Sequence, residues 1–168
     1  AEVTCPLTAH AAAGQTLVLE KLVCIRTSRD ADERIAAAPG DWSFHALWDA
    51  HTAAWLHTWQ NCDRTLPDAE LQTGLRYSMF QLMASCAAHD PTVSIGARGL
   101  THARYKGCYF WDTDLFMLPF FLKNDKTAAK NLCLYRANAL DAARDHAKKM
   151  NAAGARYPWM AALDGSEQ

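Results

Sequence analysis

Apolar and polar residues follow two different rhythms along this chain. Between Gln15 and Arg29 they alternate: Leu17, Leu19, Lys21, Val23 and Ile25 fall on one face at period two, the spacing of a strand. Val3 to Ala9 reads as its partner, with Ala12, Ala13 and Gly14 turning between them. Two strands alone are marginal in water, so residues 1–29 read as the end of a larger sheet. Residues 30–41 carry Asp30, Asp32, Glu33, Pro39 and Gly40, the make-up of a polar connector. From Trp42 the rhythm becomes helical. Phe44, Trp48, His51, Trp55 and Trp59 recur at steps of three or four and stack on one face. Pro67-Asp68-Ala69-Glu70 opens a second helix, with Thr65 or Asp68 as its cap. Leu71, Leu75, Met79, Leu82, Met83 and Cys86 are its apolar positions, and Asp90-Pro91 its end.

Residues 91–112 hold Gly96, Gly99 and Gly107 without a sustained period. So long an irregular stretch is usually functional or disordered, and its aromatic residues argue against disorder. A short helix should follow Asp112, bent or ended near Pro119. A long one should run from about Thr127 to Met150, with Leu132, Tyr135, Ala139, Ala143 and Ala147 on one face and Gly154 beyond its end. The pattern is that of a mainly α domain preceded by a short β segment.

Composition narrows the function classes. The 168 residues carry 17 Lys+Arg against 18 Asp+Glu, a formal net charge of −1, and half of them are apolar. The length suits one domain with a real core. There is no basic footprint for nucleic acid. No run reaches the 18 or so apolar residues of a membrane span, and no basic flank precedes an apolar stretch at the N-terminus. The six cysteines stand at 5, 24, 62, 86, 108 and 133, never as a CxxC pair, which fits reduced thiols in a cytoplasm. His45, His51 and His57 lie six apart rather than four, so they do not share a helical face and no metal site is expected. His51, among tryptophans, reads as a hydrogen-bonded core histidine. No serine lies in a GxSxG context, and Gly96-Ala97-Arg98-Gly99 is too short for a dinucleotide or phosphate-loop fingerprint. The chain begins at Ala1 without a Met, and it is expected to be part of a larger product.

The densest chemistry lies in Tyr105-Lys106-Gly107-Cys108-Tyr109-Phe110-Trp111-Asp112-Thr113-Asp114. A tryptophan beside an aspartate in a loop opening onto a helix offers an apolar plate and a hydrogen-bond acceptor. Sugars use both, stacking C–H faces on indole and donating hydroxyls to a carboxylate. The alternative is that Phe110 and Trp111 are core and Asp112 caps the next helix. A second loop, Ala155-Arg156-Tyr157-Pro158-Trp159, is either another exposed aromatic plate or a helix-termination loop packed on the core.

An ordered set of motifs resembles glycoside hydrolase family 65. It comprises Ser94-Ile95-Gly96-Ala97-Arg98-Gly99-Leu100, Tyr105-Lys106-Gly107, Phe110-Trp111-Asp112-Thr113-Asp114, Leu118-Pro119-Phe120, Tyr135-Arg136, Ala142-Ala143-Arg144, Gly154-Ala155-Arg156-Tyr157-Pro158-Trp159 and Asp164-Gly165. Upstream, His51, Trp55, Trp59 and Leu75-Arg76-Tyr77 resemble the start of the family's helical domain, and residues 15–29 the last strands of its N-terminal β-sandwich. The resemblance implies an (α/α)6 barrel whose first part is residues 42–168, a linker at 30–41 and a sandwich end at 1–29. It implies that Trp111 and Asp112 grip the non-reducing glucose, with Phe110 beside them and Trp159 lining the same subsite. Cys108, Asp114, Ala103 and Met160 depart from the residues usual in the family.

What the resemblance implies about activity is inverting phosphorolysis of an α-linked glucosyl disaccharide to β-glucose 1-phosphate. Inorganic phosphate is then a co-substrate and no cofactor is needed. The family's general acid lies downstream of Trp159, so no catalytic residue is expected in this chain and the isolated chain should be inactive. The expected partners are the disaccharide and phosphate, with neither nucleic acid nor membrane, in a cytoplasmic homo-oligomer. A hydrolase of the same fold is the nearer alternative. A non-catalytic carbohydrate-binding protein is the other, should the chain be complete.

Overall fold

The computed structural model describes residues 6–25, 43–99 and 104–168. The expectations for Val3 to Cys5, the end of the strand segment at 26–29, the connector at 30–41, Trp42, Leu100 and Ala103 lie outside these residues. The chain divides into two units, 1–60 and 61–168, each described by itself.

In the first unit, the described part of the expected hairpin shows no strand. Residues 6–25 contain a turn at Ala13-Gly14 and no strand. Gly14 takes φ +82°, and the Gln15 N–H donates to the Ala12 carbonyl at 3.0 Å. The alternation is present, but a ladder needs a partner of matching register, and a lone pair of short strands gains too little to hold one. Helix α1, Phe44–Cys62, carries the aromatic stripe as spaced in the sequence. Phe44, Trp48, His51, Trp55 and Trp59 form a ladder of rings with successive centroids 6.0 to 6.4 Å apart. His51 is exposed within that ladder rather than a core histidine.

The second unit begins with a clasp. Arg76 Nε and Nη2 donate to the Asp63 carboxylate at 3.1 and 2.6 Å, tying the connecting loop to α2, Ala69–Ser85. Of the two candidate caps Asp68 is the one used: its Oδ1 accepts the Leu71 N–H at 2.8 Å. The helix stops at Ser85, before the Asp90-Pro91 expected to end it. Ser85 Oγ bonds back to the Gln81 carbonyl at 2.6 Å, and Cys86 turns to extended angles.

The described part of the irregular stretch after α2 is pinned at Ile95. Ile95 is buried in the core with Phe121, Ala128, Ala129 and Leu132, and Thr113 Oγ1 donates to its carbonyl at 3.0 Å. Burying a side chain the size of Phe121 contributes about 1.5–3 kcal/mol. Strand β1, Tyr109–Phe110, pairs antiparallel with β2, Met160–Ala161, in the register Tyr109 to Ala161 and Phe110 to Met160. Single bridges add Gly96 beside Tyr109 and Glu167 beside Ala161, so four pieces of chain lie side by side.

The helix after Asp112 opens as a π-turn, Thr113–Met117, before α3, Leu118–Asn124. Pro119 sits in the first turn of α3, directly after the π-turn. The single long helix expected from Thr127 to Met150 is two: α4, Lys126–Asn138, and α5, Leu140–Lys149. Leu132, Tyr135, Ala139, Ala143 and Ala147 are all buried, as their spacing predicts. The break falls at Ala139, with ψ near 6°. The Arg136 carbonyl, which the Leu140 N–H would take in an unbroken helix, accepts the Tyr157 hydroxyl at 2.9 Å. The left-handed residue closing α5 is Asn151, φ +53°, rather than Gly154. The Ala152 and Asn151 N–H groups donate to the Ala147 and Lys148 carbonyls at 2.9 and 3.0 Å, a Schellman motif.

Candidate functional site

The β1–β2 pair brings two loops together that are far apart in sequence. β1 leads directly into Trp111 and Asp112, and Trp159 leads directly into β2. With Phe110 opposite Met160, the two tryptophans meet just beyond the paired residues. Their rings stand edge to face, centroids 5.4 Å apart at 78°. Phe110 packs against Trp159 in the same manner, at 6.0 Å and 82°. Edge-to-face pairs of this kind hold a defined angle because the ring quadrupoles favour it.

The two sequence readings of the Phe-Trp-Asp run divide between its residues. Phe110 is core, 7% exposed, whereas Trp111 is 38% and Trp159 57% exposed. Asp112 precedes the π-turn with helical angles, φ −51° and ψ −39°, and its side chain makes no capping hydrogen bond. The capping alternative is therefore not realised. Asp112, half-buried, follows the half-exposed Trp111 directly in the chain. That pairing of acceptor and apolar plate can hold a sugar hydroxyl and a C–H face.

Around Trp111 lies a pocket of about 500 Å³, lined also by Asp114, Leu115, Arg136, Arg156 and Tyr157. Asp112, Phe110 and Trp159 do not line it. Of the expected site residues the pocket takes Trp111 alone, and Trp159 joins through its ring contact. Sequence reasoning left the other walls out of the site. Arg136 from α4 is the most connected of them. Its Nε donates to both Asp114 carboxylate oxygens at 3.1 and 3.0 Å, and its Nη2 to Asp114 Oδ2 at 2.6 Å and the Phe110 carbonyl at 3.1 Å. Its Cζ lies 5.5 and 5.6 Å from the ring centroids of Tyr135 and Tyr157. The sequence signals were an arginine next to Tyr135 on a face predicted to be buried and the place of Tyr135-Arg136 in the motif set.

Tyr135 completes the support. Its ring meets Tyr109 edge to face at 5.0 Å, and its hydroxyl donates to the Ala162 carbonyl at 3.0 Å. Burial pushes that hydroxyl up to about 12, so it remains a donor at any physiological pH. Among the described residues no group of three His, Cys, Asp or Glu could hold a metal ion. No helix among them is long and apolar enough to cross a membrane.

Residues 76–168 match the family model described as the glycosyl hydrolase family 65 central catalytic domain. Among curated proteins, kojibiose phosphorylase of Caldanaerobacter subterraneus subsp. tengcongensis is 40% identical over 163 residues, 92% of this chain and 21% of that protein. Alpha,alpha-trehalose phosphorylase of Thermoanaerobacter brockii is 37% identical over 92% of this chain and 21% of its own. Maltose phosphorylase of Bacillus subtilis is 36% identical over 89% and 21%. A solved chain from the human microbiome, provisionally assigned as a kojibiose phosphorylase, superposes with a TM-score of 0.69 at 35% identity, covering 75% of this chain and 19% of that one. The chain thus spans about a fifth of the length of the relatives it matches.

Proposed function

Since the chain belongs to glycosyl hydrolase family 65, we propose that the whole protein carries out inverting phosphorolysis of an α-linked glucosyl disaccharide, releasing β-glucose 1-phosphate. The observation that carries this reading is the meeting of Trp111 and Trp159, edge to face at 5.4 Å, with Asp112 next to Trp111 in the chain. Trp111 and Trp159 offer the glucosyl ring an apolar surface, and Asp112 accepts one or more of its hydroxyl protons. Phe110, buried behind them, backs Trp159.

Holding the glucosyl unit at one orientation exposes its anomeric carbon to phosphate on the face opposite the glycosidic oxygen. A general acid protonates that oxygen as it leaves, and phosphate takes the place of the water an inverting hydrolase activates. None of the residues in this chain is offered as that acid. Asp112 is a binding group. No cofactor is required, since phosphate is itself the nucleophile.

The same reading assigns residues 42–168 to the first part of an (α/α)6 barrel, 30–41 to a linker and 1–29 to the end of a β-sandwich. It assigns the whole protein to the cytoplasm as a homo-oligomer. The identity of relatives named for kojibiose, trehalose and maltose supports an α-glucoside as substrate without choosing among linkages.

The experiment is to assay the complete protein with kojibiose, trehalose and maltose, with and without phosphate, and to identify the anomer released. The expected outcome is β-glucose 1-phosphate formed only with phosphate. Glucose released without phosphate identifies the hydrolase reading instead, and neither product identifies a binding protein. Asp112→Ala removes a charged acceptor worth about 3 kcal/mol in a desolvated site, a loss on the order of a hundredfold in kcat/KM. Wild-type kcat/KM in that variant would remove Asp112 from the site.

A further inference from the structure

We propose that Arg136 is the positioning residue of the tryptophan pair: it sets the separation and angle of Trp111 and Trp159 by holding both loops that carry them. The inference rests on the reading that this pair receives the glucosyl unit.

Trp111 is bracketed by a single guanidinium. The Phe110 carbonyl just before it accepts Nη2 at 3.1 Å, and the Asp114 carboxylate three residues after it accepts Nε and Nη2 at 2.6 to 3.1 Å. The same residue reaches the other loop by two routes. Its backbone carbonyl accepts the Tyr157 hydroxyl at 2.9 Å, and its Cζ lies 5.6 Å from the centre of the Tyr157 ring. Between Tyr157 and Trp159 stands only Pro158, fully buried and fixed in φ by its ring. A displacement of Tyr157 is therefore passed to Trp159 with little slack. The two strands are only two residues each, too short to fix the indole angle unaided.

The choice of arginine bears on this. An ion pair to Asp114 could be made by lysine, whose ammonium rotates to suit. Arg136 instead leaves its Nη1 buried without a hydrogen-bond partner among the described residues, a cost with no return if the pair served charge alone. What the planar fork adds is simultaneous contact with a carboxylate and a carbonyl while its face lies on a tyrosine, which lysine cannot reproduce.

The test uses the complete protein with Arg136→Lys and Tyr157→Phe, reading KM for disaccharide and for phosphate, kcat, and the midpoint of tryptophan fluorescence quenching by glucose. Arg136→Lys is expected to raise the disaccharide KM about tenfold, with the quenching midpoint shifted alike and the phosphate KM unchanged, because only the sugar plates have moved. Tyr157→Phe, which loses one hydroxyl, should raise the disaccharide KM about threefold. A merely structural role would lower kcat by reducing the active fraction and leave both KM values where they were. An unchanged disaccharide KM, or equal rises in both KM values, would overturn the proposal. If Arg136→Lys does not fold, Tyr157→Phe decides. If the wild type shows no phosphorolysis, the quenching midpoint decides: a shift in the variants upholds the positioning role while the phosphorylase reading falls. Its absence overturns the positioning role as well.

Discussion

Gly165 lies where the turn after β2 presses on the break between α4 and α5, and alanine there should be costly in two separable ways. The residue takes φ +82°, and a Cβ added to it would stand 2.6 Å from the Ala139 Cβ, 3.3 Å from the Ala139 Cα and 3.4 Å from the Ala142 Cβ. Left-handed angles cost a residue with a Cβ about 1–2 kcal/mol. The contact adds a second cost, because carbon pairs settle at about 3.5–4.0 Å. None of the three can swing aside, two being alanine methyls with no rotamer to change and the third the Ala139 backbone. Overpacking of this kind costs about 1–3 kcal/mol, for a total of about 2–5 kcal/mol. Gly154 supplies the control. It takes φ +84° with no atom within 4 Å of its notional Cβ, so Gly154→Ala bears the conformational cost alone.

The turn cannot move off freely. The Gly165 N–H donates to the Ala162 carbonyl at 3.0 Å and the Ala162 N–H to the Ser166 carbonyl at 2.8 Å, so the wedge pushes on β2 and hence on Trp159. Local opening is the quantity to measure, since a large protein need not unfold as one unit. Hydrogen exchange by mass spectrometry on the complete protein should show peptides covering α5 and β2 exchanging faster in Gly165→Ala than in Gly154→Ala. The expected excess is about 5- to 150-fold, the contact cost of about 1–3 kcal/mol expressed as a ratio. Equal exchange in the two variants would refute the steric part of the reasoning. Wild-type exchange in both would refute the whole.

Two further outcomes follow from titrating groups. Burial, then the charge of Asp125, pushes the Cys86 thiol up to about 11, so at pH 8 almost none is thiolate. Cys86 should resist iodoacetamide until denaturant is added, as read by peptide mass spectrometry, and rapid alkylation of the folded protein would contradict its burial. Asp164 accepts the Ser166 N–H at 3.0 Å and the Ser166 hydroxyl at 2.7 Å, which together hold its carboxyl below the usual carboxylate range. A depressed pKa stabilises the turn above the unfolded value of about 3.9 and stops doing so as pH falls through the folded value. In a carboxyl NMR titration, Ser166→Ala should move Asp164 part of the way back toward the unfolded value. An unmoved pKa would remove the hydroxyl as a cause.

The helical part of the fold was legible because its signals are local. The faces Phe44-Trp48-His51-Trp55-Trp59 and Leu132-Tyr135-Ala139-Ala143-Ala147 each follow from spacing alone, and both are present. Interruptions of those helices were not legible, because their causes lie elsewhere in the chain. The break at Ala139 depends on a hydroxyl at Tyr157 and on the close approach of Gly165. In residues 6–25 the reverse holds. The alternation is written plainly, yet period two specifies which face a strand would bury without supplying the neighbour it pairs with.

The site divides along the same line. Trp111, Asp112 and Trp159 stand out in sequence since tryptophan beside carboxylate, or after Tyr-Pro, is an unusual chemical pairing in a loop. Arg136 and Asp114 do not, because 22 residues separate them and charge at that spacing has no period to betray it. Their importance appears only once β1 and β2 have paired and α4 lies behind them. Asp114 shows how this bears on the departures from the family's usual residues. A carboxylate held in two-point contact by Arg136 keeps its role whether its stem has one methylene or two, provided the fork can follow. At Met160 what the structure shows is the backbone pairing with Phe110. Pairing of this kind acts through the backbone at residue 160, whereas at 114 the side chain itself makes the contacts. On the positioning role proposed for Arg136, variation at 114 or 136 moves the tryptophan pair itself.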